Sequence, residues 1–148
     1  MERVARTRAG NYARVRSAAL FGAVAALGSG GAADSVLIGT LVGANFNITT
    51  DQEITLKSGT WRITKIQTTN ASTSMTTAAG GFYSAASKGG VAIVAASQAY
   101  SGMVNPGDIV TCTIAAYANA VTQLFFALTT GQGAAATADI YVYGVRIQ

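Results

Sequence analysis

From residue 34 onward the chain never sustains an apolar pattern for longer than one short strand. Apolar and hydroxyl residues alternate in brief runs, and each run is cut by Gly, Asn, Asp or Pro within about 8–12 residues. A period of two places successive side chains on opposite faces of a strand, so this pattern constrains the body to β-structure. Strands are expected near Val36–Val42, Asn45–Thr49, Glu53–Lys57, Thr60–Thr68, Thr73–Ala78, Gly81–Ala85, Val91–Ala95, Asp108–Ala116, Thr122–Thr130 and Asp139–Ile147. The turns between them have matching chemistry. Ser58–Gly59 and Lys88–Gly90 supply residues that tolerate positive φ, and Asn105–Asp108 holds the single proline outside every strand.

Two of these strands show their faces. Leu124, Phe126 and Leu128 share one side, while Ile140 and Val142 oppose Tyr141, Tyr143, Val145 and Ile147. The last strand is apolar on both sides and is therefore expected to be central and covered twice. In TWRITKIQT the phase slips between Ile63 and Ile66, which predicts a bulge. Eight to ten short strands in one domain predict an all-β fold, an antiparallel β-sandwich of the jelly-roll kind. Residues 34–148 form that domain. Residues 1–33 are read as an N-terminal arm with a Gly-rich hinge, extended or partly helical, with Asn11–Leu27 as the helical stretch.

Charge separates the arm from the body. Arg3, Arg6, Arg8, Arg14 and Arg16 stand with one acid in the first sixteen residues, whereas residues 17–148 carry five cations and five carboxylates. Only 11% of the chain is charged, which leaves little repulsion to keep copies apart and favours a protein packed against neighbours. A signal-peptide reading meets a long basic region and an apolar run, Ala18–Leu27, interrupted by Gly22. That run is about half the roughly 20 residues a membrane helix needs, so no membrane association is expected, and the arm is expected to be retained. The guanidinium fork suits phosphate and carboxylate alike. The intervening Val4, Tyr12 and Val15 add apolar contacts, so the arm is read as a strap onto protein in preference to nucleic acid.

The chain has no histidine and one cysteine, Cys112, which alternation places beside Val110 and Ile114 on a buried face. The commonest general base and metal ligand is therefore missing, and Ser-His-Asp or Cys-His arrangements are impossible within the chain. Asp51 and Glu53 form a pair of carboxylates near a strand start, read as a solvated edge. The glycine clusters Gly28–Asp34 and Gly131–Asp139 lack phosphate-loop spacing. Trp61 beside Arg62, with Lys65 nearby, is read as a core or interface tryptophan. No catalytic residue, metal or cofactor is expected, and the chain is expected not to be an enzyme.

The block SGTWRITKIQTTNASTSMTTAAGGFYSAASKGG (Ser58–Gly90), the following VAIVAASQAYSGM and the ending LFFALTTGQGAAATADIYVYGVRIQ resemble small structural proteins of tailed phages. The likeness is to capsid decoration, or cement, proteins. It implies a jelly-roll-like domain on the capsid surface of a virion assembled in the host cytoplasm, often a homotrimer, bridging copies of the major capsid protein. The resemblance covers most of residues 50–148 and not the arm, whose partner-binding residues on the strap reading are Arg3, Arg6, Arg8, Arg14, Arg16, Tyr12, Leu20 and Phe21. Two alternatives are a shell-forming coat protein whose arginine arm binds genome, and a tail-fibre or receptor-binding module in which Trp61 or the Tyr141/Tyr143 pair stacks on glycans.

Overall fold

The structure, a computed structural model, describes residues 34–118 and 120–147. The expected arm, with all eight of its partner-binding residues and the Asn11–Leu27 helix, lies outside the described residues. Eight strands follow in order: β1 (Val36–Asn45), β2 (Gln52–Thr55), β3 (Trp61–Thr69), β4 (Ala79–Ala85), β5 (Gly89–Val94), β6 (Val110–Thr111), β7 (Gln123–Thr130) and β8 (Thr137–Arg146). They make two antiparallel four-stranded sheets. Sheet A has the order β1-β8-β3-β6 and sheet B the order β2-β7-β4-β5. The described residues contain no helix long and apolar enough to cross a membrane.

Both sheets feed one core. Ile38, Ile63, Ile66, Ile140 and Val142 come from sheet A, and Ile54, Phe82, Leu124, Phe126 and Leu128 from sheet B. Phe126 sits among three rings, with centroids 4.9 Å from Phe46, 5.0 Å from Phe82 and 5.9 Å from Tyr100. Leu124, Phe126 and Leu128 all point inward, as the alternation requires. Cys112 is buried in the same cluster, with Val110 and Ile114 packed against it.

Two expected strands are absent. Asn45–Thr49 is a bend: Phe46 is buried as an anchor and Asn45 Oδ1 accepts the Asn47 amide at 2.8 Å. Thr73–Ala78 is a loop, because the amides of Thr76, Thr77 and Ala78 are taken by a side chain instead of a neighbouring strand. Gln132 Oε1 accepts from the backbone of Thr76 and Thr77 at 3.0 and 3.1 Å. The expected strand Asp108–Ala116 is reduced to β6 and an isolated bridge at Ile114. This segment leaves sheet A after Cys112 N bonds Ile66 O and reaches sheet B, where Ala115 N bonds Ile93 O at 2.8 Å.

That crossing closes one side of the molecule, and a second crossing closes the other. Lys57 N donates to Ile38 O at 2.7 Å, and Gly39 bridges Leu56, so the chain after β2 pairs with β1. Beyond this the Gln52 amide serves as a strand substitute. Its Oε1 accepts from Asn45 N at 2.7 Å and its Nε2 donates to Asn45 O at 2.8 Å. Edge strands otherwise present free backbone groups that pair with other chains.

The turn chemistry follows expectation. The β4–β5 turn carries positive φ at Ser87, Lys88 and Gly90. In the loop before β6, Asp108 Oδ2 accepts from Val104 N and Asn105 N at 2.9 and 2.7 Å. Those amides hold the Asp108 carboxyl below the usual range.

Candidate functional site

The phase slip in β3 is a bulge, seen as a register shift between Ile63 and Lys65 where the strand pairs with β8. Arg62 and Lys65 are three residues apart and would point to opposite faces of a regular strand. The extra residue, Thr64, brings both to the outer face while Ile63 and Ile66 both stay in the core. Lys65 lies opposite Tyr143, and Arg62 opposite Val145. The Lys65 ammonium stands 4.3 Å from the centre of the Tyr143 ring, a cation–π contact.

β8 is central in sheet A, as expected, between β1 and β3. The expectation that both its faces are covered is only half met. Ile140 and Val142 are fully buried, whereas Tyr141, Tyr143 and Val145 are half-buried on the outer side. Across the sheet, Tyr141 is flanked by Thr40 of β1 and Gln67 of β3, and Tyr143 by Leu37 and Lys65. The outer face of sheet A therefore combines two tyrosines, apolar Leu37 and Val145, hydroxyl and amide groups, and two cations.

Register also shows where the body's charges lie. Arg146 is opposite Trp61 at the start of β3, Val36 is opposite Gly144, and Lys57 bonds Ile38. Lys57, Arg62, Lys65 and Arg146, four of the five body cations, thus gather toward the end of sheet A where β1 begins. Asp139 lies opposite Thr69 at the other end. Asp108 precedes β6 there, and Asp51 precedes Gln52, whose amide holds Asn45 at the far end of β1. With Asp34, two residues before β1, as the exception among these acids, a body that is neutral by count is partly polarised along its strands.

Four of the body's five acids hold structural hydrogen bonds. Asp139 accepts from Gly43 N and Asn70 Nδ2, both at 2.8 Å. Asp51 accepts from the amide of Ser87 in the β4–β5 turn, while Glu53 meets Gln123 Nε2 at 3.4 Å. The two carboxylates of the Asp51/Glu53 pair thus serve different partners. Burial pushes the Cys112 thiol up to about 12, with the Tyr100 hydroxyl opposing that shift in part. Burial likewise raises Tyr100, whose hydroxyl donates to Gly80 O at 3.2 Å. No group of three or more metal-ligating side chains occurs among the described residues.

Trp61 is in the core, 7% exposed, and its indole N–H donates to Lys57 O at 2.7 Å. It is not available as a glycan platform, so only the Tyr141/Tyr143 pair of that expectation remains on a surface. The Gly131–Asp139 cluster is a loop as far as Ala136 and then enters β8, with Gln132 N bonded to Phe46 O and Gly133 N to Asn47 Oδ1. The polarisation of the body was missed from sequence, because it depends on which strand ends lie together. The slip at Ile63–Ile66 was its one legible element.

No protein-family model, curated protein or solved structure matches this chain.

Proposed function

We propose that this chain is a non-enzymatic structural protein of a tailed-phage virion, a capsid decoration protein with a jelly-roll body. The observation that carries the proposal is the strand order. One sheet takes the first, eighth, third and sixth strands and the other the second, seventh, fourth and fifth. That interleaving is what two Greek keys wound into a double-sheet jelly roll produce, a fold common in viral capsid domains. Carboxylates held by backbone amides and a thiol raised to about 12 support a role without chemistry at neutral pH. The open outer face of sheet A supports a life in contact with other proteins.

On this view the arm residues Arg3, Arg6, Arg8, Arg14 and Arg16, with Tyr12, Leu20 and Phe21, grip the major capsid protein. The bodies meet as a homotrimer on the capsid surface. Several modest contacts then combine through effective concentration. The test is co-sedimentation of the full-length protein with undecorated heads. Replacing the five arm arginines by alanine is expected to abolish occupancy, and undiminished decoration would overturn the strap.

A second reading, a shell-forming coat protein whose arm meets genome, is favoured by one observation. The bulge of β3 brings two cations, Arg62 and Lys65, to one face of the body.

A further inference from the structure

We propose that the outer face of sheet A binds single-stranded nucleic acid, with Arg62 and Lys65 meeting phosphates and Tyr141 stacking a base. The inference deepens the second reading and rests on it only for its setting; the binding stands or falls alone.

Charge complementarity selects a polyanion. The two cations of this face, Arg62 and Lys65, have Lys57 and Arg146 at the same end of the sheet with one acid, Asp34, two residues before β1, whereas Asp51, Asp108 and Asp139 lie toward the other end. Within the face, the bulge at Thr64 turns Arg62 and Lys65 to the same side. Thr64 is itself fixed by its neighbours, with its hydroxyl donating to Tyr143 O at 3.3 Å and paired with the Ser35 hydroxyl. The cation pair therefore rests on a bonded backbone feature.

The aromatic component selects nucleic acid over an acidic protein. A carboxylate-rich surface has no use for a π-face, whereas single strands are held by basic grooves interleaved with stacking platforms. The Tyr143 ring is already engaged by Lys65, which leaves Tyr141 as the platform. Thr40 and Gln67 flank it across the sheet, offering a hydroxyl and an amide to the edges of a stacked base. No strand of the described residues lies on this face, and Ser35 reaches past β8 to Thr64 at one end of it.

The experiment is fluorescence anisotropy of a labelled oligothymidylate of about twelve nucleotides with the full-length protein, titrated from about 50 mM salt upward. Wild type is expected to bind with a linear log–log salt dependence. In R62A/K65A, binding is expected to weaken about tenfold and the slope to become shallower by about 1.4, the value for two lost single-strand phosphate contacts. Tyr141→Ala is expected to weaken binding at least about fivefold while leaving the slope unchanged. Thermal melts of both variants matching wild type exclude misfolding as the cause.

Three results would overturn the proposal: no binding by wild type, polyglutamate competing as well as the oligonucleotide, or face variants that bind like wild type. If in the last case alanine at the five arm arginines abolishes binding, the arm alone holds nucleic acid. The coat reading then survives while the face proposal fails.

Discussion

Phe125 and Phe126 are chemically identical neighbours on β7, and the fold predicts very different consequences for removing them. Phe126 is fully buried, with three aromatic rings within 5.9 Å of its centre. Truncation to alanine removes about 2–3 kcal/mol of apolar transfer free energy. It also removes ring–ring contacts worth roughly 0.5–1.5 kcal/mol each and leaves a cavity between two sheets that relax only in part. The total expected is about 3–5 kcal/mol. Phe125 points outward between Glu53 of β2 and Tyr83 of β4 and is only half-buried, so Phe125→Ala is expected to lose about 1 kcal/mol. Against the roughly 5–15 kcal/mol typical of a whole domain, the first change is severe and the second mild. Urea unfolding measures both, with the single tryptophan as reporter, since Trp61 is buried and its emission shifts on exposure. Equal slopes with separated midpoints would assign the difference to stability. Equal losses, or a larger loss at Phe125, would refute the phase of β7 and with it the assignment of the core.

Two further outcomes follow from the same packing. A thiol held at about 12 keeps its proton in the folded state while the unfolded chain releases it near 8.5. That contribution is complete below about pH 8.5 and declines by up to about 1.4 kcal/mol per pH unit as pH rises toward 12. Cys112→Ala is therefore expected to flatten the alkaline fall in urea midpoint between pH 9 and 11, and an equally steep fall would refute it. A Cβ at Gly80 would meet the Leu128 Cα and lie 2.5 Å from Ala127 O, at the bulge where β4 pairs with β7. Gly80→Ala is expected to lose about 3 kcal/mol, whereas Gly107→Ala, with open space around it, is expected to change the midpoint little in thermal or urea unfolding.

Local patterns carried much of this fold. Alternation in Leu124–Leu128 and in Ile140–Val142 reports burial directly, because each strand has one face on the core. The bulge in β3 was legible for the same reason: two isoleucines out of phase must both reach the interior. Thr73–Ala78 was misread because its apolar and hydroxyl residues alternate like a strand, while the decisive partner, Gln132, lies more than fifty residues away. Asn45–Thr49 failed similarly, since a buried Phe46 anchors a bend as readily as a strand. The outer face of β8 was misjudged because half-buried tyrosines read as apolar in a pattern, although their hydroxyls suit a surface. The separation of charge was out of reach, since Lys57, Arg62, Lys65 and Arg146 meet only through register and strand order.

The crossings that join the two sheets have a consequence for crowding. Many β-proteins rely on lysines along their edges to prevent strand-to-strand fusion, and this sparsely charged chain instead interrupts its edges with its own backbone and with the amide of Gln52. Edges interrupted in this way offer few free backbone groups to a neighbouring chain, and so little of the template from which an irreversible fibre grows.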